Sequence, residues 1–258
     1  MQKHQKLIAA TGAACASLLL YILISGILRE PVAEKKNNEA TVEDTKMNAD
    51  DKTDDQAAEK QKTDSEEEGG SGTEAPRVAL TFDDGPKIGS TERLLDGLKE
   101  RDVKVTFFVI GKLAEQYPDI IKRIDAEGHL IGNHTYSHVD ISRLDDETAS
   151  KEITDTSEAI ERIIGKPTEY VRPPFGTWQE ELEQEMDVIP AMWTLDPKDW
   201  TTRNADEIVN KVVTKVKDGD IILLHDCYNS SVEATLRIID LLQGEGYEFV
   251  TVDELIMN

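Results

Sequence analysis

Two neighbouring carboxylates, Asp83 and Asp84, are the first residues in this sequence that could do chemistry. They follow the apolar run at residues 78–80 and precede a Gly-Pro pair, a pattern typical of a buried strand that ends at a turn. Adjacent strand residues point to opposite sides, so one carboxylate could bind a metal ion while the other contacts a water molecule. An Asp-Gly pair is also common in solvated turns, and this stretch alone does not separate the two interpretations.

Two histidines four positions apart, His134 and His138, could complete a metal site with one of these carboxylates. If their segment forms a helical turn, the two imidazoles lie one above the other. Two histidines and one carboxylate with an open coordination position are typical of catalytic sites for a divalent metal ion, zinc first. The spacing alone is a weak signal, and structural or exposed histidines are the alternative.

A metal ion bound in such a site would indicate that the protein catalyses a hydrolysis reaction. It can lower the pKa of a bound water molecule from about 15.7 to about 7. A carboxylate that does not bind the metal would then act as base, and a histidine across the site as acid.

The elements that must position these residues alternate between strands and helices. Seven short apolar runs predict strands at residues 77–83, 103–110, 129–133, 170–172, 189–195, 220–224 and 248–252. Helix-like stretches separate them at residues 91–100, 118–127, 146–164, 177–186, 205–216 and 231–243. Repeated βα units build a parallel sheet, either an open doubly wound sheet or a barrel.

The polar residues favour the barrel. Polar residues end or follow five of the predicted strands. They are Asp83, His134, Arg172, the pair Asp196 and Asp199, and His225. An open sheet would spread these residues along a line at about 4.8 Å per strand, whereas a barrel brings them to one mouth. His129 lies inside a predicted strand and is expected to be structural.

The formal net charge of -23 argues against a nucleic-acid partner, because an acidic surface repels phosphate backbones. A neutral or weakly cationic substrate fits this charge better. The two cysteines, Cys15 and Cys227, predict no disulfide framework, and Cys227 is expected to be a small buried apolar residue.

Three segments are predicted along the chain. Residues 1–29 hold an uncharged stretch from Leu7 to Leu28 that is long enough to cross a membrane, with lysines before it and acids after it. We expect a single-pass anchor with everything beyond it outside the cytoplasm; a cleaved signal peptide of a secreted protein is the alternative. Residues 30–75, which are acidic and poor in apolar side chains, predict a disordered linker. Residues 76–258 form the globular domain.

Five motifs follow one another in that domain. They are TFDDGP at residues 81–86, HTYSH at 134–138, RPPFG at 172–176, DPKDW at 196–200 and LLHD at 223–226. On these motifs the chain resembles the polysaccharide deacetylase family, also called NodB-homology or carbohydrate esterase family 4 enzymes. The resemblance implies an α/β fold, a distorted (β/α) barrel of about seven parallel strands, and metal-dependent removal of acetyl groups from carbohydrate.

The resemblance also implies roles for the residues of the first three motifs. Asp83 matches the general base, and Asp84 matches the metal ligand beside His134 and His138. Arg172 matches the arginine that orients the base. The expected metal is zinc, with cobalt or nickel as alternatives.

The remaining roles lie in the last three motifs. Asp199 matches the acid that holds the catalytic histidine, His225, and raises its pKa, as an adjacent carboxylate would. Trp200 and Leu223 match residues that wall the acetyl pocket. Phe175 stands where relatives often have Tyr, and its backbone N–H matches an oxyanion donor, a role that the change of side chain leaves intact.

The predicted activity is deacetylation of peptidoglycan N-acetylglucosamine, with chitin-like glycans as the next choice of polymer. One alternative is removal of O-acetyl groups, as in acetylxylan esterases. Another is a non-catalytic glycan-binding barrel, which would have lost a ligand, the base or the acid, and none is missing here. The sequence leaves the oligomeric state open.

Overall fold

The computed structural model of the protein describes residues 75–179, 182 and 186–257. All seven predicted strands form, and most are shorter than predicted. They are β1 (Arg77–Gly85), β2 (Thr106–Val109), β3 (Leu130–Asn133), β4 (Tyr170–Val171), β5 (Ile189–Pro190), β6 (Ile221–His225) and β7 (Glu248–Phe249). Arg172 therefore follows β4 rather than ending it.

Seven α-helices lie between and after these strands within the described ranges. They are α1 (Ser90–Glu100), α2 (Gly111–Gln116), α3 (Pro118–Ala126), α4 (Asp146–Ile164), α5 (Ala205–Val213), α6 (Asn229–Gly244) and α7 (Val252–Ile256). The sequence predicted neither α2 nor α7, which are too short to carry a clear helical period. Of the predicted helix at residues 177–186, residues 180, 181 and 183–185 lie outside the described part of the chain.

The strands form one parallel sheet in the order β5-β4-β3-β2-β1-β6, and β7 pairs with the start of β1. A parallel bridge between Leu195 and Ile222 joins the segment after β5 to β6, so the two edges of the sheet approach each other there. Leu223 N donates a hydrogen bond to Leu195 O at 2.9 Å across this contact. The sheet is therefore curled, which is consistent with the predicted distorted barrel.

Buried apolar side chains hold the helices on the outside of this sheet. Leu80, Phe82 and Phe107 from β1 and β2 are at most 1 % exposed, as are Ile121 of α3 and Ile239 of α6. Burying a side chain of this size stabilises the fold by about 1.5–3 kcal/mol. The carboxyl ends of the central strands are thus fixed from behind by a close-packed core.

Of the predicted globular domain at residues 76–258, the structure describes residues 76–257 except for 180, 181 and 183–185. Among all the residues described, no helix has the length and apolar character needed to cross a membrane. The predicted anchor at residues 1–29 and the predicted linker at residues 30–75 lie outside the described residues, apart from Ala75, and both stay predictions.

Candidate active site

The two neighbouring carboxylates lie at the C-terminal end of β1, where the register with β2 shifts between Phe82 and Gly85. An irregularity of this kind re-aims the side chains at the end of a strand. Asp83 is buried, and Asp84 is half-buried with φ 71°. Because β1 and β6 are in register, Asp83 stands opposite His225. The strand end therefore places both carboxylates beside a histidine.

Asp84, His134 and His138 converge on one point. Asp84 Oδ1 lies 3.0 Å from His138 Nε2 and 3.4 Å from His134 Nε2. One potential ligand atom from each residue lies within 4.8 Å of the other two. Burial raises the pKa of Asp84, but its interactions with the two histidines outweigh burial and hold that pKa well below the usual range.

A backbone carbonyl fixes the ring of His134. His134 Nδ1 lies 2.6 Å from Arg172 O. A carbonyl oxygen only accepts hydrogen bonds, so Nδ1 carries the hydrogen and donates it. In the neutral ring this leaves a lone pair on Nε2, the atom that faces Asp84. Hydrogen bonds of this kind orient histidines that bind metal ions.

These three residues fit a divalent metal ion. Asp84 Oδ1 is buried, and no described residue donates a well-aligned hydrogen bond to it. A buried carboxylate oxygen beside imidazole lone pairs needs a positive partner, and a cation supplies one. Two imidazole nitrogens and one carboxylate oxygen are ligands that suit zinc, and cobalt or nickel accept the same atoms.

The loop between the two histidines does not form a helical turn, the conformation that would have placed their imidazoles one above the other. Thr135 and His138 instead have left-handed backbones, with φ 61° and 59°. Asn133 Oδ1 accepts a hydrogen bond from Thr135 N at 2.8 Å, and Glu152 of α4 accepts one from Ser137 N at 2.8 Å. Left-handed conformations cost about 1–3 kcal/mol each for such residues. The surrounding side chains therefore hold the loop in a conformation it would not adopt alone.

Asp83 is held by a fully buried cation. Arg172 Nη1 donates to Asp83 Oδ1 at 3.0 Å and to Thr81 Oγ1 at 2.6 Å. The other guanidinium nitrogens donate to the carbonyls of Ala191 at 2.8 Å and Met192 at 3.1 Å. A buried ion pair is stable only when its remaining donors are satisfied in this way. The contact fixes the Asp83 carboxylate so that its second oxygen is left for the cavity.

His225 is held by Asp199. His225 Nδ1 and Asp199 Oδ1 lie 2.7 Å apart, and Asp199 Oδ2 accepts a hydrogen bond from His225 N at 2.8 Å. Burial alone would lower the pKa of His225, but the hydrogen bond and charge of Asp199 raise it to about 9. Asp199 therefore favours the protonated imidazole, in which Nε2 is the second proton-bearing atom.

A cavity of about 430 Å³ joins these groups. Eight of the ten predicted site residues line it: Asp83, Asp84, His134, His138, Phe175, Trp200, Leu223 and His225. Arg172 and Asp199 are fully buried behind it and act on it through Asp83 and His225. Phe175 and Trp200 are 67 % and 53 % exposed at the rim, and Phe175 has φ 64°. The structure thus brings all ten residues to one place.

Three polar residues that are not among the ten predicted site residues have contacts typical of structural residues. Asp196 lines the cavity, and its Oδ1 accepts a hydrogen bond from Lys198 N at 2.7 Å, as in a turn. His129 is buried, accepts a hydrogen bond from Val105 N at 3.2 Å, and burial lowers its pKa to about 4. Cys227 is half-buried rather than buried, and burial raises the pKa of its thiol to about 12, which disfavours the nucleophilic thiolate.

Sequence reasoning missed four residues at this site. Trp193 and Tyr228 line the cavity, Thr81 binds Arg172, and Asn133 holds the histidine loop. Thr81 is the first residue of the TFDDGP motif, and Asn133 directly precedes His134, so both positions were a usable signal. No comparable signal marked the two aromatic residues.

A family model described as polysaccharide deacetylase matches residues 70–189. Peptidoglycan-N-acetylmuramic acid deacetylase PdaC of Bacillus subtilis is 43 % identical over 178 residues, which are 69 % of this chain and 38 % of that protein. A peptidoglycan-N-acetylglucosamine deacetylase of Bacillus cereus is 39 % identical over 185 residues, covering 69 % of this chain and 67 % of the relative. The match thus covers well under half the length of PdaC.

Solved structures agree with these matches. The structure of peptidoglycan deacetylase PdaC from Bacillus subtilis superposes with a TM-score of 0.70 at 41 % identity, covering 71 % of this chain and 91 % of that one. A family 4 acetyl xylan esterase from Clostridium thermocellum, in complex with a cobalt ion, superposes with a TM-score of 0.66 at 37 % identity. That match covers 70 % of this chain and 90 % of the esterase.

Proposed function

Because this chain belongs to the polysaccharide deacetylase family, we propose that it removes N-acetyl groups from a polysaccharide, with peptidoglycan N-acetylglucosamine as the substrate. One observation carries the proposal. A base held by a buried arginine, Asp83, and an acid held by a buried aspartate, His225, face one cavity that also holds a metal-binding triad. That arrangement suits hydrolysis of an amide.

Asp84, His134 and His138 would hold the metal ion, which when bound polarises the acetyl carbonyl and lowers the pKa of water. Asp83 accepts a proton from the attacking water, while Arg172 keeps its carboxylate oriented. The water oxygen forms a bond to the acetyl carbon. The backbone N–H of Phe175 at the rim donates a hydrogen bond to the oxyanion that develops.

His225 completes the reaction. Its protonated imidazole donates a proton to the nitrogen as the carbon–nitrogen bond breaks, so that acetate and a free amine leave. Asp199 keeps the imidazole charged and fixes its orientation. Trp200 and Leu223 exclude water from the space that the acetyl methyl group occupies.

One finding and one prediction support peptidoglycan as the polymer. The two relatives from Bacillus described above are both named as peptidoglycan deacetylases. The predicted location outside the cytoplasm, next to a membrane, would also place the domain near the cell wall.

Ester hydrolysis is the second candidate, because the cobalt-bound relative is named as an acetyl xylan esterase. The non-catalytic alternative finds no support in the site, since the predicted base, acid and ligands are all in place.

Removal of the metal should abolish acetate release from N-acetylglucosamine oligomers. We expect a loss of at least about 100-fold after dialysis of the full-length protein against a chelator, because the open metal site supplies most of the stabilisation of the oxyanion. Zinc, cobalt or nickel should restore the rate, and elemental analysis should find a single ion per chain. His138→Gln should lose that ion, while the control variant His4→Gln, which changes the same residue type outside the metal-binding triad, should keep it. Undiminished activity in the metal-free protein would refute the proposal.

The pH profile should report on His225. Because the imidazole must be protonated to act as acid, activity should fall as the pH rises through the pKa of His225, which Asp199 raises to about 9 in the absence of a metal ion. A bound cation repels the imidazolium and therefore moves this basic limb of the pH profile to lower pH, never higher. Asp199→Asn removes the charge that raises the pKa of His225, so the basic limb of this variant should lie at lower pH than that of the wild type. A basic limb unchanged in Asp199→Asn would contradict the assigned role.

A further inference from the structure

Three cationic side chains surround a second pocket beside the active-site cavity. Lys87, Arg93 and Arg203 line this space of about 440 Å³, which we call the basic pocket. Arg93 comes from α1, Lys87 from the loop before it, and Arg203 from the loop before α5. Such a grouping is unusual in a chain with a net charge of -23.

The contacts of these cations within the described part of the chain differ from those of other arginines. Other arginines pair with carboxylates on the surface, as Arg101 does with Asp240 at 2.7 Å and Arg123 with Asp96 at 2.6 Å. Within the described residues, none of the three cations of the basic pocket forms an ion pair. Glu233 also lines the pocket and is exposed, so it offsets one of the three positive charges.

Neutral contacts position the three cations around the segment between β6 and α6. Lys87 Nζ donates to Cys227 O at 2.9 Å, and Arg93 Nη2 lies 3.5 Å from Asn229 O. The guanidinium of Arg203 stacks on the ring of Tyr228, 4.6 Å from its centroid. Contacts with carbonyls and an aromatic face leave the positive charges uncompensated.

The basic pocket adjoins the catalytic groups through one residue. Tyr228 lines both this pocket and the active-site cavity. Its ring centroid lies 6.3 Å from that of His225. The Arg203 guanidinium is therefore separated from the catalytic imidazole by a single aromatic ring, so one glycan could occupy both spaces.

We propose that the basic pocket binds a carboxylate carried by the glycan next to the acetyl group that is removed. The inference rests on the proposed function and names its substrate more closely: an anionic glycan rather than a neutral one. In peptidoglycan two sources offer this group, the lactyl ether of a muramic acid residue without peptide and the carboxylates of a peptide stem. Arginine forks suit carboxylates from either source. The overall acidity predicted a neutral or weakly cationic substrate, and the local charge of this pocket argues otherwise.

The test compares four substrates that differ in charge: neutral N-acetylglucosamine oligomers, glycan strands with free lactyl carboxylates, the same strands with those carboxylates converted to methylamides, and peptide-bearing strands. The double variant Arg93→Gln/Arg203→Gln is measured against Lys99→Gln/Lys215→Gln, which loses the same charge at exposed positions outside the pocket. Acetate release gives kcat and KM. Calorimetric titration of the chelator-treated protein gives binding without hydrolysis.

For the wild type we expect tighter binding and lower KM for the carboxylate-bearing strands than for the neutral and methylamide strands. The pocket variant should raise KM for carboxylate-bearing strands about three- to tenfold, with kcat within about twofold, and should leave the neutral oligomers unaffected. Added salt should have the same selective effect. The control variant should behave as wild type. A preference for the free lactyl strands or for the peptide-bearing strands identifies the source.

The outcomes separate the two proposals. Acetate release with equal affinity for charged and neutral glycans, unchanged in the pocket variant, overturns the basic pocket and leaves deacetylation standing. Charge-selective binding without acetate release from any glycan overturns deacetylation and supports the basic pocket. An equal loss of affinity in the control variant would also overturn the pocket, because the effect would then come from overall charge alone.

Discussion

Asp83→Asn is expected to lower the rate of acetate release by about 100- to 10,000-fold, the range typical for loss of a general base. Asparagine has nearly the same shape and can still accept the hydrogen bond from Arg172, but it cannot take a proton from water. The loss should appear in kcat, because the proton moves only in the transition state. Initial rates of acetate release with N-acetylglucosamine oligomers measure it directly.

Two controls make this result specific. Metal content should be unchanged in Asp83→Asn, since the metal-binding triad does not use this residue. Asp102→Asn removes the same charge from a fully exposed side chain and should match the wild type. Activity of Asp83→Asn within about threefold of the wild type would show that another group is the base, and the proposed mechanism would fail.

His225→Ala is expected to impair amide substrates far more than ester substrates. An amine leaves only after it is protonated, whereas an alkoxide needs less help from an acid. We expect a loss of about 100- to 10,000-fold on N-acetylglucosamine oligomers and about tenfold or less on acetylated xylan. The comparison uses one protein preparation and one assay, acetate release, for both substrates.

The result also decides between the two candidate reactions. If the wild type hydrolyses the ester faster and His225→Ala impairs both substrates equally, the protein is an esterase whose histidine has another role. Tyr228→Phe is a useful companion variant, because it keeps the ring beside His225 and removes only a hydroxyl group. It should retain most of the amide activity.

The sequence predicted the site better than the details of the elements that carry it. Asp84, His134 and His138 could be grouped because residues at the carboxyl ends of parallel strands meet at one mouth, whatever the exact strand lengths are. Strand β5 ends at Pro190 although the apolar run extends to Leu195, because the chain leaves β4 after Ala191 and Leu195 N donates instead to Ile221 O of β6 at 3.1 Å.

Other features could not be predicted because they depend on contacts between distant residues. The four-residue spacing of the histidines suggested a helical turn, but the side chains of Asn133 and Glu152 hold their loop in another shape. Tyr228 lines both pockets, and this depends on the stacking of Arg203 on its ring. Arg203 lies about 25 positions earlier in the chain. Neither contact leaves a periodic pattern in the sequence.

The left-handed residues around the metal-binding triad matter for protein engineering. Thr135, a β-branched residue, and His138 and Phe175 all hold backbone shapes that glycine would adopt without penalty. A screen for heat-resistant variants would therefore reward glycine at Thr135, since relief of the unfavourable backbone raises the melting temperature. The same change would make the histidine loop more flexible. The variants with the highest melting temperatures in such a screen should therefore have the lowest catalytic rates.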